Sequence, residues 1–421
     1  MYKKITLKNG LRILVVPAKS TKAVTVMALV GTGSKYETKE ISGISHFLEH
    51  MFFKGTKKRP DKVRIAEDVD KVGGNFNAFT GTDYTGYWAK VAYQKFDLAM
   101  DWVSDIYLNS LLPADEIDKE RGVIIEEINM YYDHPMRYIG NLWQELLYGD
   151  QPAGWDIAGT KETVKNMTRG QMFDYRALQY VASNTIVVVA GNVAVPQALS
   201  KARKYFAGIK SSEPKKKVAV SESQDKPGFL LQKRACDQTH VALGVRGYNV
   251  FHPKRYALEV MATILGGMMS SRLFIEVREK LGLAYHIRVD NTMDPETGSL
   301  AVMAGLDSKR IDLGITTILN EFKKIKEEKV SVQELKRAKD NMIGKTILAL
   351  EASDNLASFY AEQELMEGKI ETPENMFKKI NKVTSKDIQE VACDIFRPEK
   401  LNMAIIGAFD DEKRFRDLLK I

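Results

Sequence analysis

The run Thr185-Ile186-Val187-Val188-Val189-Ala190-Gly191, which closes a segment opened by Met167-Thr168-Arg169, sets the architecture because the pattern of that segment recurs later in the chain. Thr168 stands before a stretch whose spacing predicts a helix over 169–180. The β-branched run that follows reads as a buried strand ending in a glycine turn. Val383-Thr384-Ser385 opens a second such segment, which ends at Gly407-Ala408-Phe409. Thr168 to Gly191 and Thr384 to Gly407 each span 23 positions, and the copies are offset by 216. Farther out, Ala114-Asp115-Glu116-Ile117-Asp118-Lys119 finds its counterpart in Val332-Gln333-Glu334-Leu335-Lys336-Arg337, offset by 218. Two copies of one α+β unit, each of about 200 residues, account for the pattern.

The first copy begins with short strands. Asn9-Gly10 between apolar-rich runs predicts a hairpin, followed by a strand at 23–29. Residues 72–80 are punctuated by glycine and then β-like, and 84–91 reads as the strand that pairs with them. Helices are expected over 95–108 and 115–130. Residues 211–227, from Ser211-Ser212-Glu213-Pro214 to Pro227, are polar and carry proline and lysine. They read as a linker between a domain at 1–210 and a domain at 228–421.

The copies differ in chemistry. The first contains His46-Phe47-Leu48-Glu49-His50, and the chain has only six histidines in 421 residues. On a helix, residues three and four apart share a face, so His46, Glu49 and His50 stand together. Two imidazoles can hold one zinc ion with a carboxylate beside it, the spacing of the inverted zinc-protease motif H-x-x-E-H. A catalytic zinc needs a third protein ligand. Gly122-Val123-Ile124-Ile125-Glu126-Glu127 offers two adjacent carboxylates, which point about 100° apart on a helix, so only one can face the metal. At the helix offset Glu127 falls opposite Lys345 and Glu120 opposite Ala338, and the second copy has no H-x-x-E-H. The metal-site residues occur once on a scaffold that occurs twice.

Composition narrows the alternatives. Hydrophobic content of 44% and charged content of 28% are those of a globular protein. Cys236 and Cys393 are far apart and form neither a disulfide framework nor a zinc finger, which fits a reducing compartment. No signal-peptide h-region and no run of eighteen apolar residues is present, so the expectation is a cytoplasmic protein without a membrane span. The net charge of +7 comes from dispersed lysines with no nucleic-acid module, so nucleic acid is not expected as a partner.

These residues together resemble the pitrilysin and mitochondrial-processing-peptidase family of zinc metallopeptidases, family M16. The likeness is greatest to the short bacterial members with two homologous domains, and it covers nearly the whole chain. The resemblance implies two α/β-sandwich domains, each a mostly antiparallel sheet packed with helices, together forming half of a clamshell. It implies one Zn²⁺ per subunit held by His46, His50 and Glu127, with Glu49 as general base and Glu120 as a second glutamate linked to catalysis. Asn77, Ala78 and Phe79 match a strand along whose edge peptide substrates bind. Arg278 and Tyr285 match an Arg/Tyr pair that reaches the active site from the opposite half of the clamshell. A two-domain chain is then expected to work on unstructured peptides as a homodimer, or as a heterodimer with a related subunit. The alternative is a non-catalytic or partner-dependent subunit of such a pair.

Overall fold

The computed structural model describes residues 2–421 and contains two sheets. The first is built from β1 (Lys3–Thr6), β2 (Arg12–Pro17), β3 (Ala23–Val30), β4 (Asn75–Thr80), β5 (Thr85–Ala92) and β6 (Thr185–Gly191), in the order β1-β2-β6-β3-β5-β4. The second is built from β7 (Gly228–Lys233), β8 (Thr239–Arg246), β9 (Ala284–Met293), β10 (Gly298–Leu306) and β11 (Leu401–Gly407), in the order β7-β11-β8-β10-β9. Apart from the extra strand β1, the orders are the same. Each sheet has one parallel pair, β2 with β6 and β7 with β11, and is otherwise antiparallel. The repeat read from sequence is a repeat of topology, and the fold is the expected pair of α/β sandwiches.

The strands read as continuous apolar runs because both faces of the sheet are covered. In the first unit, Ile13, Val15, Val24, Val26, Val187 and Val189 point to one face, under the helix Phe96–Asn109 and its neighbours. Leu14, Val16, Met27, Leu29, Ile186 and Val188 point to the other, against Ala357, Tyr360 and Ala361 of the helix Ser353–Met366. In the second unit Ala242, Ala301, Met303, Ala404 and Ile406 lie against Ile139, Leu142, Trp143 and Leu147 of the helix Pro135–Tyr148.

Those two helices occupy equivalent places in the repeats, 218 positions apart, and each packs on the sheet of the other half. The compact units are therefore discontinuous. One comprises Met1–Asn129, Trp155–Val218 and Ile347–Ile370, the other Met130–Gly154, Ala219–Thr346 and Glu371–Ile421. The boundaries 1–210 and 228–421 follow the repeats, whereas the compact units trade one helix each. Residues 211–227 contain neither helix nor strand.

The repeated threonines do the same work in both copies. The Thr168 side chain accepts from the Gln171 amide and Thr384 from the Asp387 amide, each completing a reciprocal capping box at a helix start. Among the described residues, no helix is long and apolar enough to cross a membrane.

Candidate metal centre

The helix Ile44–Met51 buries Ile44, Phe47, Leu48 and Met51 against the core of the first unit. That apolar stripe leaves His46, Glu49 and His50 on the opposite face. A second helix, Ala114–Tyr132, runs past them, with Ile117, Glu120 and Ile124 buried along one stripe and Glu127 one turn farther on. Arg121 fixes that helix by donating to the carbonyls of Val164, Lys165 and Met167 at 2.7, 2.8 and 2.6 Å. Glu127 reaches the histidines, whereas Glu126 is exposed. The choice between the adjacent carboxylates thus falls on Glu127, as the helix geometry requires.

His46 Nε2, His50 Nε2 and Glu127 Oε2 form a triangle with sides of 3.3, 3.4 and 3.6 Å. Ligand atoms about 2.0–2.1 Å from a tetrahedral zinc lie about 3.3–3.4 Å from one another. The donor set and its spacing therefore fit zinc, and these three form the one metal-type cluster of His, Cys, Asp and Glu among the described residues.

Supporting contacts complete the arrangement. Glu120 Oε1 lies 2.8 Å from His50 Nδ1, which fixes the tautomer that leaves Nε2 free toward the metal position. Lys54 Nζ pairs with the other oxygen of Glu120. Thr80, the last residue of β4, donates its hydroxyl to Glu49 Oε2 at 2.5 Å. Glu49 shares the outward face of the helix Ile44–Met51 with His46 and His50. Glu120, buried in the core stripe, acts on the cluster through His50.

Electrostatics without metal follow from burial and proximity. Burial, with the charge of His50 second, pushes His46 down to about 4. Burial also opposes the charged form of His50, but hydrogen bonds and charge from Glu120 and Glu127 outweigh it and raise His50 to about 9. Burial raises Glu49 above the usual carboxylate range, with the Thr80 hydrogen bond pulling the other way. Burial would raise Glu120 as well, but His50 and Lys54 hold it below its ordinary value. The hydrogen bond to His50 lowers Glu127 against its burial.

The remaining residues singled out from sequence are not among the three metal-facing side chains. Asn77, Ala78 and Phe79 are on β4, the edge of the first sheet, which pairs only with β5. Asn77 is exposed, and its side chain accepts from the Ala78 amide at 2.9 Å. Phe79 is half-buried against the sheet opposite Gly86, where a Cβ would lie 2.3 Å from the ring. Arg278 and Tyr285 belong to the second unit. Arg278 lies in a π-helical turn, Phe274–Lys280, with its guanidinium 4.7 Å from the Phe274 ring centre and 4.8 Å from that of Tyr285, which is 76% exposed. Lys54 and Thr80 escaped the sequence reading. Neither spacing nor residue type marks them, and only the fold brings Thr80 to Glu49 across 31 positions.

Residues 12–161 match the family model for insulinase (peptidase family M16), and residues 166–342 match that for the peptidase M16 inactive domain. An uncharacterized zinc protease of Bacillus subtilis is 34% identical over 97% of this chain and 98% of its own length. Another, from Mycobacterium leprae, is 34% identical over 99% of this chain and 94% of its own. Among solved structures, a protease from Helicobacter pylori superposes with a TM-score of 0.89 at 25% identity, covering 96% of this chain and 99% of that one. The fold and the site define a two-domain peptidase scaffold with a zinc-type centre in its first unit. The chain belongs to peptidase family M16.

Proposed function

We propose that this protein is a zinc-dependent endopeptidase that cleaves unstructured peptides, with one Zn²⁺ per subunit held by His46, His50 and Glu127. The observation that carries the reading is the His46/His50/Glu127 triangle, with Glu49 on the same helix face as the two histidines. Bound zinc supplies Lewis acidity, polarising the scissile carbonyl and acidifying water. Glu49 takes the proton from the attacking water and delivers it to the leaving nitrogen. Thr80 anchors one Glu49 oxygen and leaves the other for the proton. Glu120 keeps His50 in the tautomer that binds metal.

The unpaired edge of β4 supports the substrate class. An extended peptide adds there through its main chain, so its sequence is read only weakly. Asn77, Ala78 and Phe79 would flank that peptide. The Arg278/Tyr285 pair, preassembled and solvent-facing, supports a homodimer in which it completes the site of the partner subunit, with Tyr285 donating to the developing oxyanion and Arg278 holding the peptide backbone. Mixing His46→Ala with Tyr285→Phe subunits tests this arrangement, because shared sites regain activity in the mixed dimer and self-contained sites do not.

The deciding experiment is cleavage of a quenched fluorescent unstructured peptide by wild type and Glu49→Gln, with zinc measured on both. Wild-type cleavage that falls by about 10²- to 10⁴-fold in Glu49→Gln, with zinc retained, supports the mechanism. A wild type that takes up no zinc overturns it.

A further inference from the structure

The helix carrying His46, Glu49 and His50 has only 8 residues. A helix this short does not hold itself together in water, and its first amides need acceptors that the helix cannot supply. The usual solution is a Ser, Thr, Asp or Asn at the N-cap. Here the N-cap is Gly43, with φ +93° and no side-chain oxygen to offer. Glycine is imposed at that point. A Cβ on Gly43 would lie 2.5 Å from the Ala158 carbonyl oxygen, so the helix start is crossed too closely by the chain around Ala158 and Gly159 to admit any side chain.

The missing cap comes from Glu37, six residues before Gly43. The Glu37 side chain is 3% exposed, and its two oxygens accept from the Gly43 amide at 2.7 Å and the Ser45 amide at 2.9 Å. Ser45 is held a second time, its hydroxyl 2.8 Å from the Tyr175 hydroxyl, which is itself 2.7 Å from Thr32 Oγ1. The residue bonded to His46 in the chain is therefore fixed through both its amide and its side chain.

We infer that Glu37 is a positioning residue for the metal centre: it caps the helix Ile44–Met51 in place of Gly43 and so sets where His46, Glu49 and His50 stand. Its consequence for zinc rests on the proposed metallopeptidase reading, whereas its consequence for the helix does not. A surface cap would add stability alone. This cap lies buried at the base of a two-turn helix whose outer face carries three site residues, so slack in the first turn moves His46 relative to Glu127.

The test uses the full chain with Glu37→Gln, in which one acceptor becomes an amide donor facing a backbone N–H, and Glu37→Asp, which keeps the charge and shortens the reach. Two readouts are taken: hydrogen exchange of the metal-free protein, and release of bound zinc to a chelator. The expected result for either variant is exchange about tenfold faster across Ile44–Met51, with β6 unchanged, and zinc release about tenfold faster than in wild type. If Glu37→Gln fails to fold, Glu37→Asp gives the same comparison. Helix exchange at the wild-type rate, or exchange accelerated equally in β6, overturns the proposal. If wild type takes up no zinc, the function proposed above fails, and the local exchange still decides whether Glu37 holds the helix.

Discussion

Glu120 is not one of the three metal-facing side chains, yet it orients His50 and is itself held by Lys54. Glu120→Gln keeps the shape and removes the charge, so zinc affinity is expected to fall about 10- to 100-fold. Competition with a chromophoric chelator measures this, and unchanged affinity would show that His50 needs no anchor. Glu37 contributes a pH dependence that its own substitution isolates. Burial pushes its carboxyl up to about 7, against the pull of the Ser45 and Gly43 amides. In the unfolded chain it titrates near 4.5. Between those values the folded state holds a proton that the unfolded state has released, so the group's stabilising contribution is complete below about 4.5 and is lost as pH rises to about 7. The loss amounts to about 3 kcal/mol. Metal-free wild type is expected to lose more stability between pH 5 and 8 than Glu37→Gln, as read by denaturant unfolding, and parallel curves would contradict this. His46, Glu49 and His50 were legible because helical spacing alone places them on one face. Glu127 needed the family resemblance. Glu37, Lys54 and Thr80 could not be read, because a capping loop and a strand end acquire their partners only when the chain closes on itself.

At the scale of elements, the turn joining β4 to β5 is held from two directions. Asp83 is 4% exposed; its Oδ2 lies 2.8 Å from Lys35 Nζ and its Oδ1 2.5 Å from Lys217 Nζ. Lys35 is itself buried, whereas Lys217 belongs to the segment read as linker. That segment is fastened elsewhere too, through Gln179 to the Lys215 carbonyl and Ser183 to the Ser212 carbonyl. Its polar composition marks an absence of secondary structure but carries no sign of attachment, since two of these three contacts use backbone carbonyls that every residue has. Asp83→Ala removes a buried carboxylate that pairs with two lysines and is expected to cost about 3–5 kcal/mol in denaturant unfolding. Lys217→Ala, which removes the more accessible partner, is expected to cost about 1 kcal/mol. It should also raise KM for peptide, because the turn it steadies follows directly on Thr80. Equal costs for the two variants would mean that Lys35 contributes nothing to holding Asp83.

At the scale of the molecule, the duplication was legible and the helix exchange was not. Thr168 and Thr384 announce equivalent helix starts, and the β6 and β11 runs announce equivalent buried strands. An amphipathic helix, however, shows the same stripe whichever sheet it covers, so Pro135–Tyr148 and Ser353–Met366 carry no mark of their destination. The consequence is testable. A fragment ending at residue 226 keeps every zinc-site residue but lacks Ser353–Met366. It would expose Leu14, Val16, Met27, Leu29, Ile186 and Val188, all at most 3% accessible in the whole chain. It would also leave Lys4 and Arg12 without Glu364, Lys90 without Asp354, and the buried Thr25 hydroxyl without Ser353. Six such side chains at about 1.5–3 kcal/mol each amount to roughly 10–20 kcal/mol, as large as the whole stability of an ordinary domain. The fragment is therefore expected to be insoluble or unfolded when made alone. Co-expressed with residues 227–421, it should recover a folded, zinc-binding complex, because each fragment then regains the helix it lacks. Soluble yield and zinc content measure the outcome. A folded fragment 1–226 that binds zinc unaided would show that the first sheet is stable without its borrowed helix.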